Sequence, residues 1–349
     1  MRSLFRSLTA CLLAAALVVL VAGAASAQPE QLIVRPGESI QAAINAASPG
    51  ATITVLGGVH HETVVISKDG LTVRGVNTSL EPPLTPTSPC GQTGFCVSGA
   101  ANSTITGFTV RNFGEFGIEA TDAQNAKFIS NSTFNNGEYG IAAFSSTGTQ
   151  IISNVTSGSE EAGIYVGDSP QANAAVVNND TYGNSLGVFV RNALHGQITS
   201  NAVHNNCMGI LVLADAPGPA GAFNLAGNLV QMNTRACPAS EEAPAISGVG
   251  IGLLGANSVA IQGNQIFNNI PSGPTAYSGG VVVVSGFGGT PPTGNTVSGN
   301  IILNNGPDIF WDQTGLGNRF AGNACRTSTP VGLCRVLPLQ SRLMGGGAG

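Results

Sequence analysis

An all-β solenoid of stacked parallel strands is the fold class this sequence predicts, and three observations carry it. One phrase is written five times: Gly117-Ile-Glu-Ala-Thr, Gly140-Ile-Ala-Ala-Phe, Gly163-Ile-Tyr-Val-Gly, Gly187-Val-Phe-Val-Arg and Gly209-Ile-Leu-Val-Leu, with glycines 23, 23, 24 and 22 residues apart. A second phrase precedes copies two to five: Ile129-Ser-Asn131, Ile152-Ser-Asn154, Val177-Asn-Asn179 and Thr199-Ser-Asn201. The apolar residues alternate in runs too short for helices, so a period in the low twenties reads as solenoid coils. No single coil can bury a core, and the copies must stack, with strands about 4.8 Å apart. The product is a parallel β-helix.

Alternation decides which side chains face inward. One and three residues after each glycine stand Ile118/Ala120, Ile141/Ala143, Ile164/Val166, Val188/Val190 and Ile210/Val212, which form two internal columns. Thr133, Thr156, Thr181 and Val203 point inward two residues after the Asn. Asn131, Asn154, Asn179, Asn201, Asn228, Asn264 and Asn300 fall where the chain turns. There an amide can bond the Asn one coil away, and Asn tolerates left-handed backbone.

Residues 1–27 read as a secretory signal peptide: Arg2 and Arg6, an apolar run over 12–22, then the small-residue cleavage site Ala25-Ser-Ala27. Leu8-Thr-Ala-Cys11 resembles a lipoprotein box but precedes the apolar run, which argues against lipidation. The expected location is secreted, periplasmic or cell-surface, with no transmembrane segment in the mature chain. Of 13 basic side chains two lie in the leader, leaving 11 against 18 acidic. This balance excludes a nucleic-acid partner. Charged residues are only 9% of the chain while 48 are glycine, and Asn, Ser, Thr and Gly supply the polar surface. Length alone suggests two domains, but a solenoid overrides that prior, and one monomeric domain is expected.

Six cysteines remain after processing, an even number that suits disulfides in an exported chain. Fifteen connectivities are open. Cys90/Cys96 and Cys325/Cys334 can close small loops, which leaves Cys207 with Cys237. No pair has the two-residue spacing of a zinc knuckle.

The mature fold is expected to open with a capping segment over 28–50. Ile40, Ala43, Ile44 and Ala47 follow helical spacing, Ser39 is the N-cap, and Pro49-Gly50 stops the helix. Such a helix plugs the open end of the first coil. Strands follow over 52–56, 64–66 and 71–74. The solenoid is expected to span 51–323, with loops near 76–95, 214–222, 232–248, 271–278 and 286–294. A Cys-closed segment and Gly-rich tail then occupy 324–349.

The order of capping helix, Gly57-Gly-Val-His-His-Glu-Thr-Val-Val-Ile66, Lys68-Asp-Gly-Leu-Thr-Val-Arg-Gly75 and Asn/Gly-Ile coils resembles the right-handed parallel β-helix proteins of the pectin-lyase-like superfamily. Within it, the chain looks most like the parallel β-helix repeat and periplasmic copper-accessory branch. The resemblance covers roughly 32–323 and implies the fold; this architecture hosts many activities and several non-enzymes. Copper delivery would want a His/Met/Cys cluster, and Met208 near His204 is its only trace. If the chain is catalytic, the resemblance implies a polysaccharide lyase, hydrolase or epimerase. The motifs of those enzymes are missing. Leu194-His-Gly196 stands where polygalacturonases have Gly-His-Gly with paired Asp, and Tyr139-Gly-Ile141 continues with Ala142-Ala143 where mannuronan epimerases continue with Asp-Pro-His.

Outward positions hold the candidate site. Two after the glycine stand Glu119, Ala142, Tyr165, Phe189 and Leu211, and four after it Thr121, Phe144, Gly167, Arg191 and Leu213. Phe144, Tyr165, Phe189 and Leu211 form a strip on which sugar rings could stack through their C–H faces, unless the insertions fold over it. Glu119 as acid or base, Tyr165 as proton donor and Arg191 as charge stabiliser are the catalytic candidates. Glu115, Glu138 and Glu161 recur two residues before the glycines, as a solvated acidic ridge or a calcium site. No cofactor is required. The leading expectation is a secreted protein that binds, and in one version processes, an extracellular polysaccharide. The competing one is a non-catalytic exported scaffold, surface or accessory protein.

Overall fold

The computed structural model describes residues 29–85, 90–215, 218–241 and 243–335. The leader over 1–27, its cleavage site and the tail from 336 onward lie outside the described residues. Each regular coil contributes one strand to a front sheet, such as Tyr139–Phe144, and two to a back sheet, such as Gln150–Ile152 and Val155–Ser157. All named strand pairs are parallel. In the front sheet Ile118, Ile141, Ile164, Val188, Ile210, Ile251, Val281 and Ile309 pair in direct register. All eight are fully buried, so the inward columns stand where alternation places them.

The glycine ahead of each column is needed for space. A Cβ on Gly140 would lie 2.6 Å from Thr133 Oγ1, and one on Gly163 2.3 Å from Thr156 Oγ1. The inward threonines already fill the corner beneath the strand.

The Asn column is a buried amide ladder. Asn154 Nδ2 donates to Phe128 O of the coil before (2.8 Å) and to Asn179 Oδ1 of the coil after (3.0 Å), while Asn154 Oδ1 accepts Asn131 N and Nδ2. The ladder extends past Asn300 to Asn323. The left-handed residue of this turn is not the Asn itself but the one before it: Ser130, Ser153, Asn178, Ser200, Gly227, Gly263 and Gly299. The ladder Asn keeps ordinary backbone so that its side chain can turn inward under the corner. A second ladder runs five residues further on, through Asn184, Asn206, Asn233, Asn269 and Asn305, and ends on Asp308, which accepts from Asn305 N. Two amide ladders therefore pin each coil at two corners, with otherwise orphaned turn groups satisfied inside the protein.

The capping helix spans Ile40–Ala46 and Ser39 is its N-cap, accepting from Ala42 N. Residues of the first coil hold both its ends. Glu62 accepts from Ser39 Oγ, Ile40 N and Gln41 N, and Lys68 Nζ donates to the carbonyls of Ile44, Asn45 and Ala47. The capping segment also contains a strand, Gln31–Val34, paired with Thr52–Val55, which the short alternation hid.

Several boundaries need correction. The strand expected over 71–74 runs Thr72–Glu81, so the loop placed near 76–95 begins only after Glu81. It is longer because Thr78, Ser79 and Leu80 pair with Phe108, Thr109 and Val110 across a register shift. Gly221 and Ala222, placed in a loop, open the strand Gly221–Ala226. The solenoid does not end at 323: Ser328–Thr329 pairs with the front strand Ile309–Trp311, and Asp308, 1% exposed, ties the turn by accepting from Arg326 N and Thr327 N. The disulfides are Cys90–Cys96, Cys207–Cys237 and Cys325–Cys334. No helix among the described residues is long and apolar enough to cross a membrane.

Candidate functional site

The aromatic strip on the outer face of the front sheet is sealed. Tyr165 is 1%, Phe189 4% and Leu211 6% exposed, and only Phe144 is half-buried. Of the two alternatives the sequence left open for Phe144, Tyr165, Phe189 and Leu211, an open sugar platform or a covered strip, the structure has the covered strip. The reason lies in their small neighbours. A Cβ on Gly167 would fall 2.0 Å from Tyr165 Oη, so the Tyr165 ring lies flat across Gly167. Leu211, Leu254 and Met208 gather around Gly252, each 3.4–3.5 Å from where its Cβ would stand. Over Ala142 the rings close on one another: Tyr139 stacks on Tyr165 at 4.4 Å and on Phe116 at 5.5 Å, Phe144 sits 4.9 Å from Tyr165, and Phe189 meets Tyr165 edge-on at 5.3 Å. Ile246 and Tyr277, from the insertions over 232–248 and 271–278, pack onto the same cluster. The first insertion is tied down by Cys207–Cys237 and by Arg235, which donates to the carbonyls of Gly183 and Asn184. A second apolar core thus lies outside the sheet.

That covering stops at the N-terminal coils. There a cleft of about 480 Å³ opens over the start of the same outward column, where Val65, Cys96 and Glu119 succeed one another in register. Glu115, Phe116, Thr121, Glu138, Cys90, Gly91 and Thr93 are among its other lining residues. Thr121 Oγ1 donates to Glu119 Oε1 at 2.6 Å, and Gln92 N donates to Glu115 Oε2 at 3.1 Å. Burial raises the Glu119 carboxyl above the ordinary carboxylate range; the Thr121 bond opposes this and the Glu115 charge adds to it. Thr93 is 1% exposed and its hydroxyl has no hydrogen-bond partner.

The three catalytic candidates do not meet. Glu119 and Tyr165 are two coils apart and Glu119 and Arg191 three, about 10 and 14 Å at strand spacing. Tyr165 is buried, its hydroxyl lies 3.4 Å from Asp168 Oδ2, and burial first and the Asp168 charge second push its pKa up. A buried phenol held in its neutral form cannot reach a polymer. Arg191 is bound to Asp215 through Nη2 (2.6 Å) and Nε (3.1 Å) at the far margin. Glu119 alone reaches the cleft.

The acidic row is real as a register. Glu138 N donates to Glu115 O and Glu161 N to Glu138 O, so the three residues occupy successive coils. Tyr139 Oη donates to Glu161 Oε2 at 2.9 Å, which draws Glu161 toward the aromatic cluster and leaves Glu115 and Glu138 at the cleft. Among the described residues no three His, Cys, Asp or Glu are grouped to hold a metal ion. His204 is elsewhere, on the back sheet, 3.0 Å from Asp180 and stacked on Tyr182. Phe116 and Thr93 were missed from sequence. Phe116 could have been found as the counterpart of Tyr139, one residue before the glycine.

The fold and its outward cleft define a solenoid with an open site at one end of a sealed face. The model of the right handed beta helix region matches residues 54–230 and 129–328, and the chain belongs to that family. Among solved structures it is similar to the periplasmic alginate epimerase AlgG, at 16% identity over 84% of this chain and 83% of that one, TM-score 0.53. It is also similar to the Azotobacter vinelandii mannuronan C-5 epimerase AlgE4 A-module, at 17% identity over 82% and 92%, TM-score 0.55. A third is the bacteriophage CBA120 tailspike protein 2 enzymatically active domain, at 12% identity over 77% and 42%, TM-score 0.55. At these identities the likeness is one of fold. No curated protein sequence matches the chain.

Proposed function

We propose that this chain is exported and binds an extracellular polysaccharide in the cleft over Phe116, Glu119 and Glu138. One observation carries the reading: the outward face is sealed by its own rings from Tyr165 onward and opens at the N-terminal coils, where a half-buried aromatic stands beside carboxylates. An aromatic body for C–H stacking with a few fixed polar groups is how a concave site holds a sugar. The neighbours support it, since the same architecture carries proteins named as alginate epimerases and a tailspike's enzymatically active domain. Three disulfides and the periplasmic neighbour support export. Glu119 is the group placed to exchange a proton with a bound glycan. The test is calorimetric titration with a panel of oligosaccharides, using wild type, Phe116→Ala and Glu119→Gln, with His204→Ala as a distant control. Binding lost in the first two variants and kept in the third is expected. Binding unchanged by Phe116→Ala and Glu119→Gln, or no binding across the panel, defeats the reading.

A further inference from the structure

We propose that the Cys90–Cys96 disulfide is a thiol–disulfide exchange site, with Cys90 the sulfur that a dithiol attacks and Glu119 the acid that protonates Cys96 as it leaves. The inference goes beyond the glycan reading and shares with it only the export of the chain. Disulfides of exported chains are by default structural, and this one departs from its two companions in what surrounds it.

Each pair joins a buried sulfur to a partly exposed one. Cys96, Cys207 and Cys325 are 5%, 0% and 2% exposed, and Cys90, Cys237 and Cys334 partly so. Exposure alone therefore does not single out the first pair. Its setting does, because Cys90 and Cys96 both line the cleft of about 480 Å³, where an incoming thiol has room. Cys96 Sγ lies 3.4 Å from Glu119 Oε2, whereas Cys334 Sγ lies 3.5 Å from a carbonyl, Thr327 O. The pair also closes the shortest loop, a separation of 6 residues against 30 and 9, where a cross-link restrains the unfolded chain least.

Register builds the contact, since Cys96 and Glu119 pair on neighbouring coils. The two carboxyl oxygens are divided: Oε1 accepts from Thr121 Oγ1 at 2.6 Å, and Oε2 faces the sulfur. A disulfide sulfur carries no hydrogen, so in the oxidised chain this contact is a hydrogen bond only while the carboxyl holds a proton. In the reduced chain the Cys96 thiol donates instead. Burial favours the protonated carboxyl and disfavours a thiolate at Cys96. A sulfur that leaves poorly as an anion is the one a neighbouring acid assists.

The step balances as follows. A thiolate of the dithiol bonds to Cys90 Sγ, the Sγ–Sγ bond breaks, and its electron pair leaves on Cys96 Sγ, which takes the Glu119 proton. The second thiol, deprotonated by solvent, displaces Cys90 as a thiolate that solvent protonates, and Glu119 recovers its proton from solvent. The dithiol is oxidised to a disulfide by two electrons, and the protein pair is reduced to two thiols.

The experiment reduces the folded full chain with dithiothreitol and follows each pair by alkylation and peptide mapping, from about pH 4 to 8, the range in which a raised carboxyl titrates. Cys90–Cys96 should open about tenfold faster than Cys325–Cys334. Mercaptoethanol and cysteamine, as neutral and cationic monothiols, should leave their adduct on Cys90 with Cys96 free. Per unit of thiolate, the rate should fall about tenfold as pH rises through the Glu119 titration, equally for both monothiols, and should be flat in Glu119→Gln. Melting curves check that this variant folds, and the wild-type profile tests the inference without it. Opening no faster than Cys325–Cys334, adducts on Cys96, or a profile that is flat in wild type or unchanged in Glu119→Gln overturns the inference. A fall seen with mercaptoethanol but not with cysteamine also overturns it, because the Glu119 charge would then act only by repelling the thiolate. Oligosaccharide titration of the oxidised chain is a separate readout, so either reading can fail while the other stands.

Discussion

Replacing Tyr165 and Phe189 together by alanine tests whether the outer strip is core or binding surface. Both rings are at least 96% buried, by their exposures of 1% and 4%. Removing one buried aromatic to alanine costs about 3–5 kcal/mol, from lost transfer energy and the cavity left behind. These two rings touch at 5.3 Å, and Tyr165 also stacks on Tyr139 at 4.4 Å. Each aromatic pair adds roughly 0.5–1.5 kcal/mol, and sites in contact are not additive. The double variant should therefore lose about 5–8 kcal/mol. In a solenoid that loss is borne by neighbouring coils, so it should appear as early opening around Ala162–Leu213 and not as a uniform shift. Urea unfolding followed by circular dichroism, with hydrogen exchange on Ala162–Ser169 and Met208–Leu213, reads both effects. Arg111→Ala, which removes a surface pair with Glu81, is the control and should cost under about 1 kcal/mol. A double variant that unfolds within roughly 0.5 kcal/mol of wild type, with unchanged exchange, would refute the sealed strip.

Three further outcomes follow from single sites. Asn154→Ala strips partners from Phe128 O, Asn179 Oδ1 and the Asn131 amides; it should cost about 2–4 kcal/mol, measured by the urea midpoint, and a neutral result would dismiss the ladder as a stabiliser. The Glu119 carboxyl titrates above its unfolded value, so the stability it contributes is complete below the unfolded pKa and is lost as pH rises through the folded one. Glu119→Gln should accordingly match wild type in acid and melt higher at neutral pH; a variant less stable at neutral pH would contradict the sign. Lys68→Met removes the donor shared by three carbonyls at the end of the capping helix and should cost about 1–2 kcal/mol, with faster amide exchange over Ile40–Ala46 as the local signature.

What the sequence determined by itself was everything that repeats. The glycine and Asn phrases gave the coil, its register and its inward columns, because alternation and stacking leave one side of each strand dry whatever lies outside. The helix from Ile40 and its Ser39 cap were legible for the same local reason. A second Asn ladder, five residues after the first, was equally legible and went unread. The outer face was decided only in three dimensions. Whether Tyr165 stands up as a platform or lies down as core depends on Gly167 beside it, on Tyr139 and Phe189 one coil either way, and on Ile246 and Tyr277 brought back from distant insertions. None of those contacts has a period. The cleft is non-repeating too: it exists because the covering ends where the Cys90–Cys96 loop begins, and that boundary sets Glu119, Phe116 and Thr93 around one space. A repeat makes the fold readable because each coil answers to the next, and a site is a place where that symmetry is broken.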